Sequence, residues 1–82
     1  MDAFTIDELV LLESTTASHI RSLHAEADAA TADGRSAAYV RSLHARAHQT
    51  RILMQKVSTL RANAEMAEHA AAHRARVAAA GA

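Results

Sequence analysis

Asp33-Gly34-Arg35-Ser36 is the stretch that decides the fold. The 82-residue chain has no proline and only two glycines, Gly34 and Gly81, so Asp33-Gly34 is its one strong interruption. Glycine takes the left-handed conformation that ends helices, and either Asp33 or Ser36 can cap the next one. On both sides the chain is rich in alanine, leucine, arginine and glutamate, the best helix formers. Two helices meeting at a turn over residues 33–36 is the simplest reading.

Upstream of the turn, Thr5 and Glu8 have the spacing of a capping box, and Phe4 and Leu9 occupy the staple positions beside it. Asp7 and Glu8 suit the positive end of a helix dipole. Leu9, Leu12, Thr16, Ile20, Leu23, Ala27 and Ala30 recur at steps of three and four, which marks one helix face. The pattern predicts a first helix over about 6–32. Downstream, Tyr39, Leu43, Ala47, Thr50, Met54, Val57, Leu60, Ala64, Ala67 and Ala71 form a longer seam and predict a second helix over about 37–79. A break at Asn63, giving a short third helix, is the alternative.

At 1.5 Å per residue these helices span ~40 and ~65 Å, and folding at Gly34 sets Ile6 beside about Ala62. The expected architecture is therefore all-α, an antiparallel helical hairpin with the second helix longer, forming one domain over 1–82. An alanine-rich segment from about 65 overhangs. Ile20-Arg-Ser-Leu-His-Ala-Glu-Ala27 also resembles Val40-Arg-Ser-Leu-His-Ala-Arg-Ala47. The hairpin places these blocks side by side about a local two-fold, with Leu23 and Leu43 in the seam and His24 and His44 on the same side of it.

The apolar residues overflow the seam. Leu9-Val10-Leu11-Leu12 is apolar around the whole helix, and so is Ile52-Leu53-Met54. A helix apolar all round is normally buried all round. With Leu53 and Met54 assigned to the seam, Val10, Leu11 and Ile52 remain outside it and are expected to form one exposed patch, continued on the overhang by Met66 and Val77. A chain this small gains little from a single core. Without cysteine it has no disulfides to help it. Dimerisation into a four-helix bundle is the expected remedy.

Other classes fit less well. The opening Met1-Asp2-Ala3-Phe4 is acidic where a secretory signal is basic, and no apolar run approaches the ~20 residues of a membrane span. A cytoplasmic address and no membrane contact are expected. The seven residues Ile6-Asp7-Glu8-Leu9-Val10-Leu11-Leu12 resemble the first helix of the all-helical chorismate mutases. That resemblance implies a dicarboxylate held by several arginines and a lysine. The first helix here offers only Arg21, so no activity or catalytic residue is carried over.

Charge divides at the turn. Before Gly34 stand Asp2, Asp7, Glu8, Glu13, Glu26, Asp28 and Asp33 against Arg21. After it stand Arg35, Arg41, Arg46, Arg51, Lys56, Arg61, Arg74 and Arg76 against Glu65 and Glu68. An acidic helix beside a basic one is the expected arrangement, with Arg46 and Arg61 meeting Glu8 and Glu26. Binding of a polyanion by the second helix, through Arg41, Arg51 and Lys56, is the alternative. It is weakened by a net charge of zero and by the near absence of stacking aromatics.

Six histidines form the remaining constellation. His44 and His48, and His69 and His73, are i, i+4 pairs able to chelate a metal, and His24 is expected near His44. These side chains fall off the seam and toward water, so solvated histidines and no cofactor are expected, with a His-rich metal-binding bundle as the alternative. The reading as a whole is of a non-enzymatic protein that associates with itself or another protein. A structural subunit, adaptor or occluding inhibitor fits it, and the alanine- and arginine-rich usage suggests a bacterial or phage accessory protein.

Overall fold

The computed structural model describes residues 3–81. Met1 and Asp2 of the acidic opening lie outside them. Two helices, α1 (Ile6–Ala32) and α2 (Ala37–Ala80), form an antiparallel hairpin. The start of α1 is fixed by the capping box. The Thr5 amide donates to Glu8 Oε1 at 2.8 Å, and the Glu8 amide donates to Thr5 Oγ1 at 3.1 Å. Two donors that the helix cannot satisfy internally are thereby paired.

The turn is a Schellman motif. Gly34 has φ of +72°. Its amide donates to the Thr31 carbonyl at 3.1 Å, and the Arg35 amide donates to the Ala30 carbonyl at 2.9 Å. Ser36, rather than Asp33, caps α2, its Oγ accepting from the Tyr39 amide at 3.2 Å. Tyr39 then ties the two helices together: its hydroxyl donates to Glu26 Oε1 at 2.9 Å, and the Arg35 guanidinium lies 4.5 Å from its ring centre.

The core is one stripe per helix. Leu9, Ile20, Leu23, Ala27 and Ala30 of α1 are buried, as are Leu43, Ala47 and Val57 of α2. It is tightest where Leu23, Ala27, Ala30, Leu43 and Ala47 meet, since alanines let the backbones approach closely. This is where the repeated block lies, and the His24 and His44 rings stand 5.5 Å apart beside it.

The seam differs from expectation at Leu53 and Leu60, each 52% exposed. Beyond Val57 the inward face passes through half-buried Arg61 and Ala64. A step of four takes Arg61 into the position assigned to Leu60, which turns Leu60 outward. Met54 is half-buried, and its neighbour Leu53, about 100° further round, is on the flank. α2 runs through Asn63 without a break.

Residues 71–80 are exposed throughout, so the end of α2 stands free. The molecule measures 71 × 21 × 15 Å with a radius of gyration of 19.8 Å. A globule of this length has a radius near 12 Å.

Candidate protein-interaction surface

Two shallow apolar hollows lie on the hairpin. Phe4, Leu9, Leu60 and Ala64 line one at the open end, where the start of α1 meets α2. Ile52, Gln55, Lys56, Thr59 and Leu60 line the other, along α2 alone. Leu60 belongs to both and joins them. Along the outer side of α1 the surface turns polar, with Ser14, Thr15, Ser18, His19 and Ser22 lining a hydroxyl-rich groove.

The five residues expected to form the contact surface, Val10, Leu11, Ile52, Met66 and Val77, are all exposed, Leu11 and Met66 by two thirds. They are spread over both helices. Ile52 joins Leu60 on α2. Val10 and Leu11 are neighbours in sequence, hence about 100° apart around α1, and neither is among the residues lining the two hollows. Phe4 and Leu60, which the sequence reading did not count among the contact residues, line these hollows. Counting Val57, Arg61 and Ala64 as the seam releases Leu60. Phe4 precedes the helix, so its direction depends on the cap and not on helical period.

A charged network joins the two helices. Arg61 Nε is paired with Glu13 Oε2 of α1, while its Nη1 donates to Glu65 Oε1 at 3.1 Å. Ser58 Oγ donates to Glu13 Oε1 at 2.7 Å. These bonds hold the Glu13 carboxyl below its usual range, the Arg61 bond contributing most and the Ser58 bond next. The same network raises Arg61, chiefly through Glu13 and then Glu65. Glu8 is lowered by its bonds to Thr5, and the Tyr39 hydroxyl is raised by its bond to Glu26.

The acidic and basic halves do meet, but not through the expected pairs. Among the described residues the ion pairs are those of Arg61 with Glu13 and Glu65. Glu8 is engaged by the cap and Glu26 by Tyr39, and among the described residues neither forms an ion pair with Arg46 or Arg61. Arg41, Arg51 and Lys56 are exposed. Of these, Lys56 lines the Ile52–Leu60 hollow.

Of the candidate metal ligands, His24 and His44 come together across the hairpin, and His24 is half-buried. His44, His48, His69 and His73 are exposed. Among the described residues no three histidine, aspartate or glutamate side chains are grouped closely enough to hold a metal ion.

The chain matches no model of a known protein family, no curated protein and no solved structure. Its function therefore has to be argued from its own surface. Among the described residues no helix is long and apolar enough to cross a membrane.

Proposed function

We propose that this is a non-enzymatic protein that works by protein–protein contact, beginning with a second copy of itself. The observation that carries the reading is surface that one chain leaves uncovered. Phe4, Leu11, Ile52, Leu53, Leu60, Met66 and Val77 are all large, apolar and exposed. The chain presents 6177 Å² to solvent at a mass of 8.7 kDa. A compact monomer of that mass presents about 4,700 Å². The excess exceeds the ~800 Å² that each partner buries in a standard interface.

A four-helix bundle made by two hairpins is the economical way to cover it. The Ile52–Leu60 face of α2 and the Phe4 corner supply the contact, with Lys56 and Gln55 at its polar rim. Such a bundle suits a structural subunit or an adaptor at a cytoplasmic address, where the remaining apolar flank receives a larger protein. Replacing Ile52 and Leu60 together by lysine tests the reading. Light scattering is expected to give more than one chain for the parent and a single chain for the variant, with helical circular dichroism unchanged. A parent that already scatters as one chain overturns it.

A further inference from the structure

The free end of α2 carries a face that is complementary to itself. Glu65, Met66, His69, His73, Arg76 and Val77 follow one another at helical steps and share one side of the helix. All six are exposed. Glu65 and Arg76 are eleven residues apart, about three turns, and so lie along one edge of that side. Met66 and Val77 have the same separation and lie along the other edge. His69 and His73 run between them.

These three pairs have a common centre. Glu65 with Arg76, His69 with His73, and Met66 with Val77 are each centred within half a residue of Ala71. Glu13 bonds Ser58 and Arg61, which sets the start of α1 level with about residue 66, so the face begins there and runs out along the free end of α2. A two-fold axis through Ala71 overlaps residues 65–77 of the two chains.

An antiparallel copy placed on that axis meets the face with opposite charge at both ends. Glu65 of each chain, which also accepts from Arg61 of its own chain, faces Arg76 of the other, and Met66 faces Val77. Closed two-fold contacts are of this self-complementary kind. A parallel two-fold pairing swaps the edges, setting Glu65 beside Met66 and Arg76 beside Val77, and makes neither ion pair. The hairpin itself shows the same device within one chain, where its repeated blocks run antiparallel and bring His24 and His44 together.

In the middle of the paired overhangs the two histidine pairs meet. Each chain contributes an i, i+4 pair from one helix, and four neutral imidazoles satisfy a tetrahedral ion. We infer that the overhang binds antiparallel to the overhang of a second copy, and that His69 and His73 of both chains form a site for a divalent transition metal such as zinc. The inference rests on the reading that this chain associates with itself and adds a second contact, which leaves the Ile52–Leu60 face free for the bundle. A single chain offers half the ligands, which is why the site is invisible in one hairpin.

Sedimentation velocity of the full chain without a histidine tag, with and without zinc, tests this. With free zinc at about a hundred times the site's Kd, linkage tightens the dimer roughly a hundredfold, at one zinc per two chains. Replacing His69 and His73 by alanine is expected to abolish that response, while replacing His44 and His48 leaves it intact. Glu65→Arg weakens the dimer, and adding Arg76→Glu restores it by exchanging the charges. A parent that self-associates but ignores zinc, or responds equally without His69 and His73, overturns this arrangement and leaves self-association standing. A parent that remains one chain under both conditions overturns both.

Discussion

Leu43 is 1% exposed and sits in the buried core cluster with Leu23, Ala27, Ala30 and Ala47. Removing a side chain so placed costs about 2–5 kcal/mol, a large part of what so small a core supplies. Leu43→Ala is therefore expected to lower the urea midpoint sharply, whereas Leu11→Ala, at an exposed position, changes the monomer little. Glu13 gives the hairpin an acid limit. Its folded pKa lies below the ordinary glutamate value of about 4.3 because Arg61 and Ser58 bond the carboxylate. The bound carboxylate thus adds stability above about pH 4.3, and that contribution is lost as pH falls through the lower folded value. Melting temperature is expected to drop on the acid side, and Glu13→Gln to make that drop shallower while lowering stability at neutral pH. An acid profile that Glu13→Gln leaves unchanged contradicts this assignment.

At the scale of elements, the turn and the overhang make opposite predictions. Gly34 needs φ of +72°, and a side chain there meets nothing within 4 Å. Gly34→Ala should therefore cost only backbone strain, about 1–2 kcal/mol, visible as a lower urea midpoint without loss of helix. Residues 71–80 of the overhang are exposed throughout. Their amides are expected to exchange fast when the protein is dilute and to become protected as concentration rises. Equal protection at all concentrations contradicts a role in assembly. Both helices and their joint were legible in the sequence because they depend on local signals: Thr5 and Glu8, Gly34, and apolar steps of three and four. What was not legible depends on which side chain wins a position in three dimensions. Arg61 takes the inward place next to Glu13 and displaces Leu60, and Glu26 accepts from Tyr39 without an ion pair to Arg46. Helical phase drifts over forty residues, so a seam read from its start is least certain at its far end.

For the whole molecule the decisive property is its shape. A rod 71 Å long with a core one residue wide exposes more apolar surface than one chain of this size can hide. Covering that surface by a second hairpin stabilises both chains and makes their stability depend on concentration. In the proposed assembly the free α2 end and the Phe4–Leu60 corner are contact surfaces. Sedimentation equilibrium over a dilution series, in metal-free buffer at neutral pH, tests this directly. A weight-average mass that climbs toward twice 8.7 kDa with concentration is the predicted result. A mass of one chain across the whole series, up to millimolar protein, would contradict it.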